Sequence, residues 1–228
     1  MPRLRLHKNW NPLEEIYDLT KKEIEFQVMQ DLQKYNQYFL QRYGRSVSDD
    51  FDVDNFVAEN WGFEIVFDSL DQTEGEEILG CLKPRDKKII VDADQCKTQA
   101  RINFTIAHEA GHLSLHASMM RLENGKVVDW RDKPIQPQFA NPEKEKTLDA
   151  NQQKMERQAN RYAGILLAPT HKVFSVLAQM KIINDNQQTE SLDLSKHAQF
   201  LMDKFGMSRQ ALEIRLSDLK VSVLNKKY

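Results

Sequence analysis

Ile102-Asn103-Phe104-Thr105-Ile106-Ala107-His108-Glu109-Ala110-Gly111-His112-Leu113-Ser114-Leu115 decides how the rest of the chain is read. The stretch lacks proline, and Ile102, Phe104, Ile106, Leu113 and Leu115 predict a buried helix. His108 and His112 stand four residues apart, on one face of such a helix, where both imidazoles can hold a single ion. Glu109 follows the first histidine, and its carboxylate can reach a water beside that ion rather than the ion itself. The pattern also fits two histidines on an amphipathic surface helix, so a third ligand has to come from elsewhere.

The chain has 228 residues, enough for one domain with appendages or two small ones. Its net charge of −2 argues against a general nucleic-acid-binding surface. Cys81 and Cys96 have no disulfide or thiolate-zinc spacing and fit a reduced, cytoplasmic compartment. The basic start, Met1 to Lys8, has no apolar run behind it, so it does not read as a signal peptide. The longest apolar run, Tyr162 to Ala168, is far too short to span a bilayer, and no membrane partner is expected.

Upstream, Asn11 and Pro12 suit a helix start, and Leu13, Ile16, Tyr17, Ile24, Val28, Leu32, Tyr35, Phe39 and Tyr43 form one apolar stripe. That predicts a long helix ending near Gly44, with a boundary around Ser46 to Asp50. Asp52 to Glu59 reads as a short helix and Phe63 to Phe67 as a strand. An acidic loop, Asp68 to Glu77, leads to a hairpin of Ile78–Lys83 and Lys87–Asp92 through Pro84-Arg85-Asp86. The outer edge of that hairpin could take an extended peptide. Downstream, Arg121 to Gln153 shows no period and reads as a long loop. Met155 to Ala168 is helical up to Pro169, and Thr170 to Met180 is a further helix. Asn184 to Thr189 reads as a linker, followed by helices over Leu192–Phe205 and Ser208–Leu219 with a turn at Gly206. The expected fold class is α+β, mainly helical, with a small antiparallel sheet.

A catalytic zinc site takes three protein ligands and leaves a fourth position open. His116 repeats the four-residue step, but His108 to His116 spans about 12 Å along a helix axis, too far for convergence on one ion. The third histidine of the metzincin spacing would fall at Ser118. His116 therefore reads as a residue behind the ligands, a substrate-side residue or part of the helix end. Glu156 is the better third ligand. Asn160, one turn later, can accept a hydrogen bond from the outer nitrogen of a ligating imidazole. Two imidazoles and one carboxylate accept Zn2+, and Mn2+ as well. In this arrangement Glu109 is the general base. Tyr162 and His171 have side chains suited to stabilising an oxyanion, and the sequence does not choose between them.

Phe104 to His112 with His116, then Glu156-x-x-Ala159-Asn160-Arg161-Tyr162-Ala163 and Leu166-Leu167-x-Pro169, resemble the ImmA/IrrE family of zinc metallopeptidases. The ending, Phe205-Gly206-Met207-Ser208 with Arg215-Leu216, is a softer match. Gly164, Ile165 and Ala168 depart from the family pattern at packing positions. The resemblance implies a zincin-like core with a gluzincin-like site: His108, His112 and Glu156 on the metal and Glu109 catalytic. The resemblance covers roughly residues 48 to 220, and the expected division is a helical extension (1–47), a metallopeptidase core (48–182) and a C-terminal helical region resembling a helix-turn-helix (183–228). It also implies a substrate, a helix-turn-helix transcriptional repressor whose cleavage relieves repression in a stress response or a mobile element. The competing reading is a non-proteolytic regulator that binds DNA or a repressor through its last helices. From Glu190 to Tyr228 there are seven Lys or Arg against five Asp or Glu, a weak basic excess that disfavours direct DNA binding.

Overall fold

The computed structural model describes residues 18–47, 51–70, 78–84, 86–116, 121–123, 126–128, 138–139, 150–182 and 191–224. Helix α1 (Lys21–Tyr43) begins at Thr20, which exchanges hydrogen bonds with Glu23 in a capping box. It stops at Gly44, whose φ of 67° is left-handed. A continuous helix from Asn11 is therefore corrected: Asp18 to Thr20 are not helical, because the Thr20–Glu23 box supplies the stronger start. The expected cap at Asn11 and Pro12, and Leu13, Ile16 and Tyr17, lie outside the described residues. The rest of the stripe packs as expected, with Ile24, Val28 and Tyr35 buried and Leu32 and Phe39 against them. Helix α2 (Val53–Trp61) is capped by Asp52, which accepts from the amides of Asp54 and Asn55, and ends at left-handed Gly62.

The sheet contains β1 (Glu64–Asp68), β2 (Ile78–Lys83) and β3 (Lys88–Asp92). After helix α3 (Gln99–Gly111) and a π turn (His112–His116) come β4 (Arg121–Glu123) and β5 (Lys126–Val128), a separate antiparallel pair. Strand β6 (Gln138–Phe139) joins the main sheet, whose order is β1-β3-β2-β6. The hairpin forms as expected, with Cys81 opposite Ile90. The sheet is mixed rather than antiparallel throughout, since β1 runs parallel to β3, Val66 opposite Ile90. The cause is topological. The hairpin folds so that β3, with Ile89 to Asp92 all buried, takes the place beside β1, and local sequence pattern does not encode that choice. The hairpin's outer edge is also occupied, by β6 at Ile78 and Gly80.

Helix α4 (Ala150–Leu167) starts earlier than expected, and the loop reading of Arg121 to Gln153 is further corrected by β4, β5 and β6. The remainder of that stretch, most of the acidic loop and the Asn184–Thr189 linker lie outside the described residues. Helix α5 (Thr170–Gln179) follows Pro169. Strand β7 (Leu192–Asp193) leads into α6 (Leu194–Phe205), and α7 (Arg209–Asp218) is capped by Ser208. Strand β8 (Val223–Leu224) pairs parallel with β7, an element the sequence did not suggest. These last helices are fastened to the rest. Asn103 donates to the Gly206 carbonyl at 3.2 Å, and buried Arg215 donates to the Ala168 carbonyl at 2.9 Å and the Thr170 hydroxyl at 2.8 Å. One apolar cluster runs from Ile24 and Val28 of α1 through Leu82, Ile89, Ile106, Ala110 and Leu166 to Leu212 and Leu216 of α7. Among the described residues no helix is long and apolar enough to cross a membrane.

Gly206 links α6 to α7 with φ 59°, and a methyl group there would collide with the Asn103 amide. Gly206→Ala is expected to cost about 1–2 kcal/mol from the left-handed backbone alone, before the clash is counted. A thermal melt should show this as a Tm lower by at least about 2–4 °C.

Candidate metal centre

Two helices build the site. α3 and its π turn carry the histidines, α4 carries Glu156 and Asn160, and they cross at Gly111. A methyl group at Gly111 would lie 3.0 Å from Ala159 Cα and 3.1 Å from Tyr162 Cβ, so only glycine allows this approach. The crossing brings together the residues singled out in the sequence. His108 Nε2 and His112 Nε2 are 3.1 Å apart, and the Glu156 carboxylate oxygens stand 3.1 Å from the first and 3.2 Å from the second. Both histidines are fully buried and Glu156 is nearly so.

These three side chains could hold a metal ion, each offering one ligand atom within 4.8 Å of the others. Ligand bonds of about 2.0–2.1 Å in a tetrahedron put ligand atoms roughly 3.3 Å apart, close to the separations here. The hydrogen-bond chain behind the two imidazoles points the same way. His108 Nδ1 lies 2.9 Å from Asn160 Oδ1, which can only accept, so the proton sits on Nδ1. His116 Nε2 donates to Gln158 Oε1 at 3.0 Å, which leaves its Nδ1 to accept from His112 Nδ1, also at 3.0 Å. Both His108 and His112 therefore aim an Nε2 lone pair at the Glu156 side. His116 sits behind His112, not beside the ligand atoms. Burial, aided by the neighbouring His112, pushes its pKa down to about 3, consistent with a neutral relay.

Counting the protein's own charges alone, burial lowers the His108 pKa, but Glu156 outweighs burial and lifts it to about 9. Burial works to raise Glu156, and the two imidazoles reverse this and hold it well below the usual carboxylate range. Glu109 differs. It is fully buried, neither of its oxygens has a hydrogen-bond partner among the described residues, and burial raises its pKa against the pull of His108 and His112. Strand β2 borders it closely, since a methyl group at Gly80 would lie 3.6 Å from Glu109 Oε1.

Neither oxyanion candidate belongs to this cluster. Tyr162 is fully buried and donates its hydroxyl to Asp31 at 2.7 Å, while His171 is exposed on the first turn of α5. Three residues near the site escaped sequence reading. Gln158, Ser114 and Asp31 sit outside any recognisable spacing, and only the tertiary fold brings them in. The repeated step from His112 to His116 was the one usable signal, because a buried third histidine needs a partner of its own.

The chain matches the family model described as Peptidase_M78, IrrE N-terminal-like domain, over residues 58–217. Among solved structures it resembles a Mycobacterium tuberculosis transcriptional regulator at 15% identity and a TM-score of 0.44, covering 92% of this chain and 54% of that one. The chain thus spans about half the length of that protein. No curated protein matches it.

Two outcomes are expected. With the His108 pKa at about 9, a cation displaces a proton from this imidazole near neutrality. Zn2+ affinity should therefore rise about tenfold per pH unit above pH 7 and level off near pH 9. Competition against a chromophoric chelator measures this, and a flat profile would contradict it. Gly111→Ala should keep helical circular dichroism but lose most Zn2+ affinity, because α4 has to move away from the histidine pair.

Proposed function

The chain belongs to the IrrE N-terminal-like peptidase family, and from that premise we propose that it is a zinc-dependent endopeptidase acting on a helix-turn-helix repressor. The observation that carries the peptidase reading is the buried His108–His112–Glu156 cluster with the unpartnered Glu109 carboxylate beside it. In this reading His108, His112 and Glu156 hold the ion, and Asn160 and His116 orient the two imidazoles. A divalent ion, when bound, supplies Lewis acidity that acidifies a water and polarises a carbonyl. Glu109 takes a proton from the attacking water on a carboxylate oxygen. As the water oxygen bonds to the peptide carbon and the C–N bond breaks, Glu109 returns the proton to the departing amine. Its dry surroundings suit this work, because burial moves its pKa toward neutrality.

The repressor as substrate, and a role in a stress response or mobile element, rest on the family resemblance. Zn2+ is the expected ion, with Mn2+ compatible with the same ligands. A non-proteolytic DNA-binding reading is weaker. Arg215 of α7 is buried on Ala168 and Thr170, and Arg209 pairs with Glu213 at 3.0 Å, which reduces the positive charge α7 offers to phosphate.

Co-expression with a candidate helix-turn-helix repressor tests the proposal, with repressor mass followed by mass spectrometry. Wild-type protein should produce one cut. Glu109→Gln should retain bound metal and slow the cut by about 10²–10⁴-fold. A cut of undiminished rate in Glu109→Gln would overturn the assignment of the base. An intact repressor with metal-loaded wild type would favour the binding-only reading.

A further inference from the structure

Asp31 lies on α1, before the region matched to the family, yet its carboxylate reaches both elements that carry the ligand cluster. Its Oδ2 accepts from the Ser114 hydroxyl at 2.5 Å and from the Tyr162 hydroxyl at 2.7 Å. Ser114 is the middle residue of the π turn, two positions from both His112 and His116. Tyr162 is on α4, two positions past Asn160 and six past Glu156. The carboxylate is itself held, because Gln27 donates to Oδ1 at 3.1 Å. Asn60 donates to the Asp31 carbonyl at 3.2 Å, and Lys34 donates to the Asn60 carbonyl at 2.6 Å.

We propose that Asp31 is a positioning residue of the metal centre, tying the His112 turn to the Glu156 helix through one carboxylate oxygen. The physical need is local. A π turn is a rare geometry that its surroundings have to hold in place, and here it sets the step from His112 to His116. Two donors converging on one acceptor fix the spacing of their parent elements better than apolar contact, which tolerates sliding. Acceptor geometry rather than charge carries the function. An asparagine could offer one oxygen to both hydroxyls and turn its amide to Gln27 after that side chain flips.

The proposal rests on the metal-centre reading, and the test separates the two. Zn2+ affinity is measured by chelator competition and the visible spectrum is recorded with Co2+, on the full chain, for wild type, Asp31→Ala, Asp31→Asn and Tyr162→Phe. Thermal unfolding of the ion-free proteins runs alongside. Asp31→Ala should weaken Zn2+ binding by about 10–100-fold and alter the Co2+ bands, with Asp31→Asn restoring both. If Asp31→Ala fails to fold, Tyr162→Phe, which removes one donor and little volume, is judged by the same two readouts. A lower melting temperature with unchanged affinity and spectrum would overturn the positioning role and leave the metal centre standing. A wild-type protein that binds neither ion would overturn both.

Discussion

Gly111 passes Ala159 with no room for a methyl group between the two helices, and the arrangement of the ligand cluster follows from that approach. A helix pair normally packs with its axes about 8–10 Å apart, set by the side chains at the contact. Glycine facing alanine lets the α3 and α4 backbones approach closely enough for the Glu156 carboxylate to reach the histidine pair. Glu156 can then meet His108 and His112 together, at 3.1 and 3.2 Å. The apolar residues around the crossing, Ile106, Ala107, Ala110, Ala163 and Leu166, are all fully buried, so the helices cannot drift apart without opening the core.

Burying two imidazoles and a carboxylate is costly unless each polar atom is satisfied. The chain meets this cost with a one-way proton order. Gln158 accepts from His116, which then can only accept from His112, and Asn160 accepts from His108. Each link removes a freedom of the next, and the sum is a pair of Nε2 lone pairs facing one anionic group. With no cation there, a proton on His108 completes the charge balance. On the proposed reading the same groups hold either a proton or a metal ion, and affinity for the second depends on the pH that governs the first.

Much of this was legible in the sequence. The four-residue step of His108 and His112, the Glu156–Asn160 pair one helical turn apart, and the hairpin around Pro84 are all local patterns, and all form. Glycines 44, 62 and 206 end their helices in left-handed conformations, where the sequence placed the stops. What escaped was either a competition between local signals or a matter of topology. The helix start expected at Asn11-Pro12 passes over Thr20-x-x-Glu23, whose reciprocal cap begins α1. The parallel pairing of β1 depends on which hairpin strand faces it. Ser114 and Asp31 are 83 residues apart in the chain, and no periodicity connects them.

Glu109 and Glu156 show how two carboxylates on neighbouring helices are driven apart in character. Glu156 is flanked by two imidazoles and held low, while Glu109 is equally dry but has no donor among the described residues. An unpaired buried carboxylate costs about 1–3 kcal/mol or more, which a core of this size can offset but which a merely structural residue would gain nothing from. A donor facing Glu109 would lower its pKa and weaken it as a base, so its isolation suits proton transfer on the proposed reading. Gly80 helps preserve that isolation. Any side chain there would collide with Thr105 and approach Glu109 Oε1, whereas glycine sets no side-chain atom against the carboxylate.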